Sequence, residues 1–235
     1  MFANSTILLT GVGGQGQVGE AVAKAFATLG AKLVLVDRSR ENVDPRANEL
    51  NASGASARAY ACDLTNPDEV GKLAAWVRDT VSEKVDAVVH MAGGFATSGP
   101  VADSALDVWN KQIAINLTTA FLVARAFIPL VRNARGSIVF FASEAALPGS
   151  TGANMSAYAV AKGGIVSLMR AIAAEEANSG VRANAIAPSA IRTAANVAAM
   201  GADKHYIGRE EVADAVIYLC SARASAINGA LIPLK

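Results

Sequence analysis

Short apolar runs recur along the chain at 6–10, 32–37, 57–62, 85–91, 137–142, 181–187 and 230–233. They are continuous rather than alternating, which is the pattern of strands buried on both faces. Between them lie longer stretches with apolar residues at helical spacing, such as 20–29, 67–81, 105–130, 157–177 and 210–219. Strands alternating with helices predict a mostly parallel sheet with helices on both faces. Right-handed crossovers and one switch in strand order make this a doubly wound (Rossmann) α/β fold of about seven strands, with 1–235 as a single domain. In such a sheet ligands lie beyond the carboxyl ends of the strands. Functional residues are therefore expected just after each apolar run.

Composition narrows the classes. With 52% hydrophobic and 17% charged residues the chain can bury a large core, and it is too apolar to be disordered. A net charge of +1 offers no basic stripe for nucleic acid. The longest apolar runs are interrupted by charged, Gly or Pro residues, which argues against a membrane span. Met1 leads into the polar Asn4-Ser5-Thr6 with no basic start or signal core, so a cytoplasmic location is expected. Cys62 and Cys220 stand far apart and read as reduced core thiols. His90 and His205 are the only histidines, so no metal site is expected.

Thr10-Gly11-Val12-Gly13-Gly14-Gln15-Gly16-Gln17-Val18-Gly19 joins the first strand to the first helix. Gly14-x-Gly16-x-x-Gly19 has the form of a dinucleotide fingerprint. Glycines let the backbone approach a pyrophosphate, and a helix starting near Gln17 offers free N–H groups and the positive end of its dipole. The second strand ends at Asp37, eighteen residues after Gly19, where a carboxylate can accept hydrogen bonds from adenosine ribose hydroxyls. That favours NAD. Arg38 and Arg40 follow directly and leave NADP open.

Tyr158-Ala-Val-Ala-Lys162 resembles the Tyr-x-x-x-Lys motif of the short-chain dehydrogenase/reductases. The whole chain is similar to their single-domain branch, including 3-oxoacyl-carrier-protein reductase-like members. The resemblance implies that Asp63 and Leu64 contact the adenine. Ala92-Gly93 resembles the family's Asn-Ala-Gly turn, Asn116 its helix asparagine, and Ser143 its catalytic serine. Pro188, Ile191 and Thr193 resemble its nicotinamide-side segment. The implied cofactor set is Gly11, Gly14, Gly16, Gln17, Val18, Gly19, Asp37, Asp63, Leu64, Ala92, Gly93, Tyr158, Lys162, Pro188, Ile191 and Thr193. Several features depart from the family pattern. The glycine loop is about two residues longer, which puts Gln17-Val18-Gly19 where Gly-Ile-Gly is usual. Met91 stands where asparagine is common, and Ser189 replaces a glycine. The Ser143–Tyr158 interval is slightly long, the lid around 194–208 is short, and the chain closes Leu231-Ile-Pro-Leu-Lys235 rather than with Asp-Gly-Gly.

Tyr158 and Lys162, four apart on a helix, share one face. An ammonium beside the phenol, together with a positive nicotinamide ring, is expected to lower its pKa and make Tyr158 the acid/base. The resemblance implies that Lys162 also holds the nicotinamide ribose, that Ser143 donates to the substrate oxygen, and that Asn116 holds a water linking Lys162 to solvent. Together these imply an oxidoreductase interconverting a carbonyl and a secondary alcohol. The alternative is a non-catalytic nucleotide-binding regulator. Phe95, Leu147, Met155, Met200 and Tyr206 are expected to line a largely apolar substrate pocket, and Glu144 could face it or solvent. Helices 105–130 and 157–177 carry more apolar and alanine positions than one buried stripe needs. With the resemblance, this implies a symmetric homo-oligomer, a tetramer ahead of a dimer.

Overall fold

In the computed structural model, which describes residues 2–235, all seven expected runs contain strands. Met1, where the leader reading begins, lies outside the described residues. The strands are β1 (Thr6–Thr10), β2 (Lys32–Asp37), β3 (Ser56–Ala61), β4 (Ala87–His90), β5 (Ser137–Phe141), β6 (Arg182–Pro188) and β7 (Leu231–Leu234). They form one sheet in the order β3-β2-β1-β4-β5-β6-β7, every pairing parallel. The order reverses between β1 and β4, where Thr10 lies opposite both Val36 and His90. A crevice opens beyond the carboxyl ends at such a switch point.

The continuous apolar runs are explained by packing on two faces. Ile7 and Leu9 face Val22 and Phe26 of α1 (Val18–Thr28), Leu50 of α2 (Arg40–Ala52) and Val216 of α8 (Arg209–Cys220). Leu8 faces Leu73 of α3 (Pro67–Thr80), Phe127 of α5 (Thr119–Ala134) and Met169 of α6 (Ser156–Glu175). Phe26, Phe127 and Met169 are wholly buried, and truncating such a side chain to alanine costs about 2–5 kcal/mol. Asn66 starts α3 by accepting the N–H of Asp68 and Glu69, with Pro67 at the first helical position. Both cysteines are buried free thiols, each pushed up to about 12 chiefly by that burial.

Three differences from the sequence reading bear on function. α2 is an additional helix. Pro45 and its polar neighbours mask a buried stripe of Val43, Ala47 and Leu50. The expected helix 105–130 divides into α4 (Leu106–Gln112), a π-helical stretch Ile113–Thr118, and α5. Leu106–Ala134 and Ser156–Glu175 do reach the length and hydropathy of a membrane span, although the interrupted runs argued otherwise. About half of each is buried within the fold.

Candidate active site

The glycine turn is fixed by close approach. Gly11 has φ +74°, and a Cβ there would lie 2.8 Å from the Ala92 nitrogen. A Cβ on Gly19 would lie 2.3 Å from the Gly11 carbonyl oxygen, so α1 can pack this tightly on the turn only with glycine. Gln17 precedes α1 and makes no side-chain cap, which leaves the first-turn N–H groups of Val18 and Gly19 without a side-chain acceptor. The turn is held from the side by Asp37, whose Oδ2 accepts from Gly13 N at 2.9 Å while Oδ1 accepts from Arg38 N at 2.8 Å. Gly16 N donates to Glu20 Oε2 at 2.5 Å, so this N–H of the lengthened loop already has an anionic partner. At the end of β3, Asp63 Oδ1 accepts from Thr65 N and Oγ1, and these bonds hold its carboxyl below the usual range. The Leu64 side chain is buried in the core. Uncapped N–H groups beside a glycine turn and a strand-end carboxylate fit a dinucleotide.

On the other side of the crevice, Tyr158 and Lys162 face the cleft from consecutive turns of α6. Lys162 Nζ donates to the Phe141 carbonyl at the end of β5, 2.9 Å away, and lies 5.6 Å from the Tyr158 ring centroid. Burial lowers the ammonium to about 8. Burial also raises the Tyr158 phenol above its ordinary value, opposed by the Ser143 hydroxyl. The sequence reading expects a lowered phenol. Here desolvation outweighs the Ser143 hydrogen bond, and the positive coenzyme ring that the lowering calls on is not part of the chain. The Phe95 ring meets Tyr158 edge-on at 5.0 Å.

Asn116 is wholly buried in the π-helical stretch. Its Oδ1 accepts from Gly94 N at 3.2 Å, and its Nδ2 donates to Gly94 O at 3.0 Å and to Gln112. Both ends of this amide therefore have protein partners, which tie the π-helical stretch to the turn at Gly94. A Cβ on Gly93 would lie 2.5 Å from Asn116 Oδ1 and 3.5 Å from Lys162 Nζ. Glycine at residue 93 is therefore what lets the Asn116 amide pack this closely against the turn that lines the cleft.

A cleft of about 630 Å³ is lined by Ser143, Tyr158, Lys162, Gly93, Pro188 and Ile191. Phe95, Leu147, Met155 and Met200 line it as expected, and Glu144 does so too. Tyr206 does not. Its hydroxyl donates to the Gly201 and Asn196 carbonyls, bracing the segment that carries α7 (Ala194–Met200). Thr193, buried, caps α7 through Asn196 N.

A family model described as enoyl-(acyl carrier protein) reductase matches residues 11–234. The chain belongs to the short-chain dehydrogenase/reductase family. It is 33% identical to 2-(S)-hydroxypropyl-CoM dehydrogenase 3 of Xanthobacter autotrophicus, over 97% of this chain and 93% of that one. It is 32% identical to meso-2,3-butanediol dehydrogenase of Serratia marcescens, over 99% and 94%. A short-chain dehydrogenase/reductase structure from Mycobacterium ulcerans superposes with a TM-score of 0.90 at 27% identity, covering 99% of this chain and 89% of that one. A candidate NAD(P)-dependent gluconate 5-dehydrogenase from Beutenbergia cavernae, with NADP bound at low occupancy, superposes at 0.87 with 30% identity over 98% and 95%. This short-chain dehydrogenase/reductase is an NAD(P)-dependent oxidoreductase interconverting a carbonyl and an alcohol in small molecules.

Some residues of the site escaped the sequence reading. Gln112 and His90 sit beneath the cleft, and their polar side chains in apolar surroundings were the available signal. Arg192 and Arg209 line a neighbouring cleft with Gly16 and Thr193. The lengthening of the glycine loop gave no clue to that neighbour.

Proposed function

We propose that Tyr158 is the acid/base of this oxidoreductase and that the four residues Asn116, Ser143, Tyr158 and Lys162 divide the work. The observation that supports it is the shared cleft, with Ser143, Tyr158 and Lys162 lining it above the Gly93 floor. When bound, the nicotinamide supplies or accepts the hydride. Tyr158 moves the proton at the substrate oxygen. Ser143 donates to the same oxygen and favours the developing alkoxide. Lys162, anchored on Phe141 O, holds the nicotinamide ribose and its charge favours the phenolate. Asn116 acts by holding Gly94, and through it the turn at Gly93.

The residues that would hold the coenzyme extend from the glycine turn to this cleft. The Val18 and Gly19 N–H groups would bind its pyrophosphate, and Asp37, Asp63 and the Leu64 backbone its adenosine. Ala92, Gly93, Pro188, Ile191 and Thr193 would hold the nicotinamide. Asp37 favours NAD, and Arg40 supports that choice because it pairs with Asp44 at 3.9 Å and is three-quarters exposed. The substrate is a small, largely apolar secondary alcohol or its ketone resting on Phe95, Leu147, Met155 and Met200. The relatives named for butanediol and D-threitol also act on short hydroxylated chains. The segment 194–208 is a short lid, its base clamped where Ile191 bridges Ile207 and its interior braced by Tyr206. The protein works in the cytoplasm as a homo-oligomer, a tetramer ahead of a dimer. Leu106, Trp109, Phe121 and Val160 support this, because they leave large apolar surface exposed on α4, α5 and α6. A panel of ketones and secondary alcohols, followed by nicotinamide absorbance with both coenzymes, tests the reading. Turnover of short apolar substrates is expected, and none across the panel would contradict it.

A further inference from the structure

His90 closes β4 at 1% exposure, between Thr10 of β1 and Thr119 of α5. The donors and acceptors around it can be counted. Thr10 Oγ1 accepts from Met91 N at 3.2 Å and from Ala92 N at 3.3 Å, which occupies both its lone pairs. Its own proton must then point at His90 Nδ1, 3.1 Å away, so Nδ1 is an acceptor and carries no hydrogen. The single proton of a neutral imidazole is left on Nε2, which donates to Thr119 Oγ1 at 3.2 Å. Thr119 passes its hydrogen to the Ile115 carbonyl at 2.9 Å, inside the π-helical stretch. Asn116, the next residue, meets Gly94 in both directions and so returns to the turn that Thr10 holds.

Resting on the assignment of the cleft above, we infer that His90 is a positioning residue. Through this ring, made of hydrogen bonds and closed by the backbone at Ile115–Asn116 and Ala92–Gly94, it sets the separation between the Gly93–Gly94 turn and Asn116. The ring lies directly under the reacting groups, since Lys162 Nζ is 3.5 Å from where a Gly93 Cβ would sit. It also joins β1, whose end begins the glycine turn, to the bulge that carries Asn116. The ring requires a neutral imidazole. Burial, aided by the charge of Lys162, provides one by pushing His90 down to about 3. An amide side chain offers one acceptor and one donor and can replace the imidazole, whereas an alkyl group leaves Thr10 and Thr119 each short of a partner.

The test combines a spectrum with a mutant cycle. Nitrogen-15 NMR of the imidazole in the intact chain is expected to show Nε2 protonated and Nδ1 bare through the neutral range. Protonation at Nδ1 overturns the inference, and it does so whether or not any substrate is turned over. Failure of the parent on every carbonyl instead contradicts the proposed function and leaves the tautomer result standing. His90→Leu is expected to lower kcat about tenfold or more, a buried polar pair having been orphaned. His90→Gln is expected to recover most of it. In an Asn116→Ala background, His90→Leu should have little further effect, because the path through Asn116 is already cut. Fully additive losses, or a His90→Leu variant as fast as the parent, would overturn the role. If His90→Leu does not fold, the parent spectrum and His90→Gln still decide.

Discussion

Lys162 Nζ lies 5.6 Å from the centroid of the Tyr158 ring, one helical turn away, and both residues are held out of water by the cleft wall. Desolvation acts on them in opposite directions. The phenol is raised and stays protonated through neutral pH, while the ammonium is lowered to about 8. A protonated phenol is the form that gives a proton to a carbonyl oxygen, and oxidation of an alcohol needs the phenolate. The expected pH profiles are therefore unlike. kcat for reduction holds through neutral pH and falls in the alkaline range, and kcat for oxidation rises over that same range. Initial rates in both directions across pH check this; parallel profiles would contradict it.

The floor of the cleft predicts a sharp contrast between two glycines. A Cβ on Gly93 would lie 2.5 Å from Asn116 Oδ1, whereas a Cβ on Gly54, also at positive φ, would meet nothing within 4 Å. Gly93→Ala has to displace the buried Asn116–Gly94 pair and is expected to cost about 1–3 kcal/mol of overpacking, with loss of most coenzyme binding. Gly54→Ala bears only the backbone strain, about 1 kcal/mol, and leaves kinetics unchanged. Denaturant unfolding and coenzyme titration by fluorescence measure both variants.

Asp37 carries the coenzyme prediction. Its carboxylate can accept from free ribose hydroxyls and would meet the 2′-phosphate of NADP as a like charge. A charge-assisted hydrogen bond contributes about 1.5–3 kcal/mol. A preference for NAD of at least about tenfold in kcat/KM follows. Asp37→Ala should narrow the ratio, although it also releases Gly13 N. Measuring both coenzymes with one substrate on parent and variant decides. A parent that prefers NADP, or an unchanged ratio in the variant, contradicts the assignment.

Assembly is predicted from the exposed apolar side chains of α4–α6. Trp109 and Phe121 are over a third exposed, and Leu106 about 70%. Light scattering at micromolar concentration is expected to give a symmetric oligomer, and Phe121→Glu to shift it towards smaller species. A monomeric parent refutes this.

The strands and the crevice were legible because two-sided burial writes a continuous apolar run, and Tyr158, Lys162 and Ser143 follow such runs or share a helical face. α2 was hidden by Pro45 and its polar stretch, although Val43, Ala47 and Leu50 hold the helical stripe. The π-helical stretch leaves no mark on periodicity, so Asn116 could be placed but not its bonds to Gly94 and Gln112. The raised phenol depends on how much water the folded cleft excludes, a quantity that the Tyr158–Lys162 spacing does not carry.

The central claim is that Tyr158 moves the proton. Its most direct test is Tyr158→Phe, measured for coenzyme dissociation constant and for kcat on the best substrate of the panel. The phenyl ring keeps the edge contact with Phe95 and removes only the hydroxyl. The account predicts coenzyme binding close to the parent and kcat lower by about 100-fold or more. A Tyr158→Phe enzyme that turns over like the parent would contradict it.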